Sequence, residues 1–371
     1  MYKSSLNRIR LNLDQICLNT ETFKSVKMET TEKITCLNSK KIDLHKQFCF
    51  RSLLLFFFLN VIQFSAFGQI SKKAIRYNNY ISKAEYNLSK LEYKKASKNY
   101  KQAFNVFNKL LSNDAQNALI VCSKSSDKKF ALQIAYQLLD LGICKSYFSH
   151  LDLDKEILDS IQRIKPKKID TRKMSVFESL LDADQDNRTV ISRSELWTRD
   201  SLGLITFINT IQKLGFPSDF NIGIKCFRSD GGMYNSHNLA EILLIHYRRH
   251  NSKKLDSILL HAVNNLELNM FSYLKYCNSF TKEDKIDDLP VFMVNGKVYK
   301  NNYTPFELKS INHKRRKYGE LSLQQYTDVF MFYLNEENSS NFRKGNKYVR
   351  IILPLSEAEV LKKNLIEIKK L

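Results

Sequence analysis

The sequence predicts a mainly helical protein with a small β-hairpin near its C-terminus. Three observations carry that expectation. Gly and Pro are scarce, ten and five in 371 residues, which leaves few tight turns and favours long helices. Apolar residues recur at steps of three and four over several stretches, the spacing of one helix face. One Asn-Gly pair lies between two short apolar runs, the strongest short-range hairpin signal. With 43% apolar and 26% charged residues the chain is globular rather than disordered. Its seven Cys are scattered, which excludes a disulfide scaffold and a zinc ribbon.

The first element is an apolar run of sixteen residues, Ser52 to Phe67 (SLLLFFFLNVIQFSAF). Lys46 and Arg51 precede it, and Ala66-Phe67-Gly68 closes it with small residues at −3 and −1. That is the pattern of a secretory signal peptide, cleaved after Gly68 to leave Gln69 first. A membrane span needs about 20 apolar residues, so an uncleaved anchor or a buried core helix is the alternative. Cys49 precedes the apolar core, which does not support lipoprotein attachment. Residues 1–45 are too long and too polar for an n-region, and the simplest account is a start placed too far upstream. Residues 1–68 are therefore set apart from the fold.

Residues 69–150 are expected to form a helical module. Tyr86, Leu91, Tyr93, Ala96, Tyr100, Ala103, Phe104 and Phe107 mark an apolar stripe. A polar break is expected at Ser112-Asn113-Asp114, and a second helix from Ala118 to Cys122. Ser125-Ser126-Asp127 offers an N-cap for a helix over Phe130 to Leu141, and Gly142 suits its C-terminal cap. Residues 151–172 are charged and carry Pro166, and are read as a linker. The second domain, 173–371, starts with Phe177 to Leu181. Helices are expected over Asp200 to Leu214, Asn238 to Tyr247 and Lys254 to Leu266. Val291 to Tyr299 reads as a hairpin about Asn295-Gly296, Tyr348 to Leu355 as a strand, and Glu357 to Leu371 as a final basic helix. His313-Lys314-Arg315-Arg316-Lys317 reads as a solvated basic loop.

Ala84, Tyr93, Ala96, Tyr100 and Ala103 stand at the small and large spacing of a tetratricopeptide repeat, and Ala118 follows one period of about 34 residues later. The segment resembles that repeat over roughly 75–148. The resemblance implies an interaction surface, with a protein partner reached through the N-terminal helices and Tyr93 and Tyr100 as candidate binding residues. An ordinary bundle with these side chains in its core is the alternative.

Further on, Asp184-Gln185 with Arg188 resembles the D-Q-x-x-R signature of an uncharacterised bacterial family, domain of unknown function 6624. Asp200, Gly215-Phe216-Pro217, Ile222-Gly223 and Leu243-Leu244-Ile245-His246 follow in that family's order, over roughly 177–275. Ile245 replaces a usual Gln, Gly203 stands where Asn is common, and the closing Tyr318-Gly319-Glu320-Leu321 comes late. The resemblance implies an organisation and no reaction.

His246, Asp184 and Arg188 are the candidate catalytic residues, since an Asp-oriented imidazole is a general base and an adjacent Arg holds an anion. Gln185 is a further binding candidate. The alternative is a buried network that fixes helix packing. Asp182, Asp184 and Asp186 alternate like the first ligands of a Ca²⁺ loop, with Glu195 near its end. The turn Gly and the bidentate Glu that such a loop needs are replaced by Asn187 and Arg193. No cofactor motif is present, whether a P-loop, a nucleophile elbow or H-E-x-x-H.

The chain carries 59 Lys/Arg and 38 Asp/Glu, a net +21, and +16 after cleavage. Export argues against nucleic acid as the partner of that charge. It favours an anionic envelope surface, or simply solvated Lys on helix faces. Cys122, Cys144, Cys226 and Cys277 remain after cleavage, and either disulfides or buried thiols fit them. The sequence is therefore read as an exported, envelope-associated binding or scaffolding protein, periplasmic or secreted. A hydrolase-like enzyme built on His246, Asp184 and Arg188 is the alternative.

Overall fold

The first helices assemble through small residues that let their backbones approach. α1 (Lys72–Ser89) and α2 (Tyr93–Phe107) are joined by a three-residue turn in which Leu91 takes a positive φ. Ala84, Ala96 and Ala103 are fully buried between them. α3 (Ser112–Lys124) and α4 (Lys128–Asp140) follow. The Asp127 side chain caps α4 as its sequence predicts, accepting from the Phe130 amide, and Gly142 lies just beyond its end at φ +106°. The computed structural model describes residues 69–166, 171–226, 233–277, 291–294, 297–335, 342 and 365–368. The apolar run at 52–67, residues 167–170 of the linker and the expected strand at 348–355 lie outside the described residues.

After α5 (Lys145–Phe148), the stretch read as a linker contains α6 (Lys155–Arg163), whose Ile157 and Ile161 are buried. α7 (Arg172–Gln185), α8 (Arg193–Leu214), α9 (Asp219–Ile222), α10 (Ser236–Tyr247), α11 (Lys253–Asn264) and α12 (Met270–Tyr276) build the second half. β1 (Ile224–Cys226) pairs antiparallel with β2 (Met233–Asn235) ahead of α10. β3 (Val291–Val294) and β4 (Lys297–Asn301) form the expected hairpin, with Val294 opposite Lys297 across a two-residue connection. α13 (Pro305–Lys317) and α14 (Leu323–Leu334) complete the helices. The protein is mainly helical, and among the described residues no helix is long and apolar enough to cross a membrane.

Two hydrophobic clusters lie within one compact unit, residues 68–371. The first gathers α1 to α6 and takes back Leu321, Tyr326, Val329 and Phe330 from the C-terminal third. The second holds Phe177, Phe207, Leu243, Leu244, Leu259 and Tyr276. α1 serves both, since Tyr77 and Ile81 enter the first cluster and Ala74 the second.

Several expectations are corrected. Ser112-Asn113-Asp114 is not a break but the first turn of α3, where the free amides and the helix dipole favour Asp114. α8 begins seven residues earlier than expected. Ser192 and Glu195 form a reciprocal capping box there, so Glu195 caps a helix instead of closing a Ca²⁺ loop. His313 to Lys317 is the last turn of α13 and not a loop. Its charges meet the negative end of the helix dipole, and Arg315 is buried, donating to the Leu321 carbonyl at 2.6 Å. At the C-terminus, Leu365–Ile368 is a strand, β5, paired with β4 rather than part of a helix. Ile366 and Ile368 alternate with Glu367, which suits a strand as well as an amphipathic turn.

Cys122 and Cys277 are buried thiols outside any disulfide, and burial pushes the Cys122 thiol up to about 12, which keeps it protonated and unreactive. Cys144 is disulfide-bonded, and the side chain of Cys226 lies outside the described residues. Cys144→Ser is expected to lower stability by about 2–4 kcal/mol under oxidising conditions. Under reducing conditions the variant and the parent should unfold at the same denaturant midpoint.

Candidate functional site

The Asp-Gln-x-x-Arg segment straddles the end of α7 and the turn that leads to α8. Placed one residue from the end of α7, Asp184 points into the space between α7, α8 and α10, and its side chain is 2% exposed. His246, near the end of α10, brings its Nδ1 to 2.7 Å from Asp184 Oδ2. Arg188 donates to Asp184 Oδ1 at 2.8 Å and through its Nε to the Asp184 carbonyl at 3.0 Å. The same guanidinium bonds Asp200 on α8. Gln185 donates to Asp184 Oδ2 at 2.6 Å. The candidates His246, Asp184 and Arg188 are thus brought together, with Gln185 beside them.

Three partners were not anticipated as a group. Asp200 is buried and shares Arg188 with Asp184. Arg199 donates to the carbonyls of Ala183 and Asp184, each at 2.6 Å, which satisfies the open C-terminal end of α7. Tyr247 reaches Asp184 from α10, and its phenol is pushed up by burial and by the neighbouring carboxylates. That approach depends on Gly203, where an added Cβ would lie 2.6 Å from the Tyr247 hydroxyl. Gly203 is thus the residue that makes room for the tyrosine.

Burial alone would raise the Asp184 carboxyl, but the His246 and Arg188 bonds outweigh it and hold it below the usual carboxylate range. A carboxyl lowered by folding stabilises the fold above its ordinary pKa of about 3.9, and that contribution is lost as pH falls below it towards the lowered value. Stability is therefore expected to fall in acid. In a pH series of urea unfolding, Asp184→Asn should flatten that acid limb.

An open groove of about 680 Å³ runs beside the cluster. Leu180, Ile191 and Leu202 give it apolar walls, and Glu195 and Arg199 add charge. Asp184 and Tyr247 touch its lining, whereas His246 and Arg188 do not line it. Trp197, Leu202 and Val190 are exposed nearby, and the Trp197 ring lies 4.3 Å from that of His250.

The remaining candidates separate. Tyr100 is fully buried in the first cluster, which corrects its expected role in partner contact. The spacing identified its helix face but not the neighbours that cover it. Tyr93 is half-buried, beneath the Lys124 ammonium at 5.8 Å from the ring centre. Asp182 and Asp186 are exposed while Asp184 faces inward: Asp182 and Asp184 point about 200° apart on α7, and Asp186 lies just past its end. Among the described residues no three His, Cys, Asp or Glu side chains are placed to hold a metal ion. No family model matches the chain, and no curated protein or solved structure matches it.

Proposed function

We propose that the protein is an exported, envelope-associated binding protein in which the Asp184 cluster is a clamp, not a catalytic centre. One observation carries this reading: His246 and Arg188 bond the buried Asp184 and do not line the groove, where a substrate would have to meet a base. Asp184 itself accepts from His246, Arg188 and Gln185, so its oxygens are committed to holding α7, α8 and α10 together. The groove beside them, with apolar walls that include the exposed Leu202, has the character of a contact surface. A protein partner of the N-terminal helices is part of the same proposal, with Tyr93 as its remaining candidate. The tetratricopeptide-like and family resemblances support this organisation without supplying a reaction.

Export is proposed from the signal-like run at 52–67 and is supported by the disulfide at Cys144, since structural disulfides persist in oxidising compartments. The test is N-terminal sequencing of the protein purified from its native host, compartment by compartment. The proposal expects a chain that begins at Gln69, outside the cytoplasm. A cytoplasmic chain that retains residues 52–67 would overturn it.

The hydrolase-like alternative has a specific observation in its favour. The Asp184–His246 contact at 2.7 Å is the kind that orients an imidazole for proton transfer. It requires substrate to reach the imidazole from a side other than the groove wall.

A further inference from the structure

A second cavity, which shares no lining residue with the groove beside Asp184, has an unusual lining for so basic a chain. It lies where α1, the start of α3, the start of α9 and the loop after α11 meet, and encloses about 70 Å³. Glu85, Asp114, Asp219 and Glu267 line it, and among the described residues no Lys, Arg or His does. Four carboxylates thus converge in a protein of net charge +21.

Two further observations point to a ligand site. Ser218 lines the cavity and is 2% exposed, and its hydroxyl has no hydrogen-bond partner. A buried hydroxyl without a partner costs about 1–3 kcal/mol, and a donor in the cavity removes that cost. Glu267 is half-buried, and its carboxylate makes no hydrogen bond or ion pair with the described side chains. Burial raises its pKa, and the nearby His261 and Lys109 offset this only in part. Lys109 is directed elsewhere, over the Phe220 ring at 3.9 Å. The other carboxylates are better held: Asp114 accepts from Tyr77 at 2.7 Å, and Asp219 accepts from Ser112.

We propose that this cavity binds a primary alkylammonium group. The ammonium would sit against Glu267 and the Ser218 hydroxyl, and its methylenes against Ile81 and Met270. A bare metal ion fits less well, because no three of these carboxylates are placed to hold one. An ammonium has three donors on a flexible stem and can satisfy acceptors that are farther apart. The volume suits it too: a cavity of this size holds about five waters at roughly 15 Å³ each, or a short aminoalkyl chain. This site is separate from the groove and does not depend on the clamp reading.

The test is isothermal titration and thermal unfolding of the full chain with n-butylammonium chloride, against sodium chloride and 1-butanol as controls. Saturable binding of n-butylammonium, with a rise in Tm that neither control gives, is the expected result. Glu267→Gln should weaken it about tenfold or more, as expected for loss of a charge-assisted bond. Ser218→Ala should weaken it less, and this variant provides the readout if Glu267→Gln does not fold. No saturable binding, or equal binding by the parent and both variants, would overturn the proposal. Two sources share this chemistry. Tighter binding of cadaverine than of a blocked lysine tripeptide would identify a free diamine, and the reverse order a lysine side chain of a partner protein.

Discussion

Asp184→Ala is expected to destabilise the protein by about 3–5 kcal/mol, the usual cost of removing one partner from a buried ion pair. The carboxylate accepts from His246, Arg188 and Gln185 in a position 2% exposed to solvent. Its removal leaves Nδ1 of His246 without an acceptor and Arg188 with only Asp200 and the backbone carbonyl of residue 184. It also leaves Tyr247, which approaches Asp184 over Gly203, beside an empty space. Because a domain of this kind has a total stability of about 5–15 kcal/mol, the loss would be a large part of the whole. Asp184→Asn retains one acceptor and the side-chain volume, so it should cost less. Urea unfolding measures both, through the midpoint at constant slope. A cost below about 1 kcal/mol for Asp184→Ala would place the residue among ordinary surface substitutions and contradict the clamp.

The second large effect is expected at Gly319, between α13 and α14. Its φ is +75°, and a Cβ there would lie 2.5 Å from the Ile75 carbonyl oxygen and 2.9 Å from the Asn79 amide nitrogen. Both are backbone atoms of α1, which cannot turn aside as a side chain can. The left-handed conformation costs a non-Gly residue about 1 kcal/mol, and overpacking adds about 1–3 kcal/mol. Gly319→Ala should therefore cost about 2–4 kcal/mol in total. α1 supplies both hydrophobic clusters, so the damage should be global and not confined to the C-terminal third. Hydrogen exchange of the variant would show it as lost protection in α1 and α10 together. Lost protection in α13 and α14 alone would contradict the role given to this contact.

Much of the fold was legible because its signals are local. Asp127 and Gly142 bracket α4 by cap chemistry within a few residues, and Asn295-Gly296 announces the hairpin through the turn it prefers. Some local signals were present and passed over. Ser192 with Glu195, Thr304 with Glu307 and Ser322 with Gln325 are capping boxes that mark the starts of α8, α13 and α14. What was not legible depends on distant partners. Periodicity places Tyr100 on an apolar face but cannot say what packs against it. The stretch at 365–368 is a strand because β4 offers it an edge, and its short local alternation suits a strand and a helix alike.

The candidate site divides in the same way. Asp184, Gln185 and Arg188 are close in sequence and stood out together, and His246 joined them through an ordered set of short motifs. Asp200, Arg199 and Tyr247 complete the cluster from other elements, and only the packing of α7, α8 and α10 assigns them. The carboxylates of the second cavity run from Glu85 to Glu267, a separation no sequence window spans.

The most direct test of the clamp is a double-mutant cycle of His246→Ala and Asp184→Ala, read by urea unfolding of the full chain. The account predicts that each single change destabilises the protein and that the double change costs less than their sum by about 1 kcal/mol or more. A His246→Ala variant as stable as the parent, with additive effects within about 0.5 kcal/mol, would contradict it. That result would free the imidazole from a structural role and move the weight to the enzyme alternative.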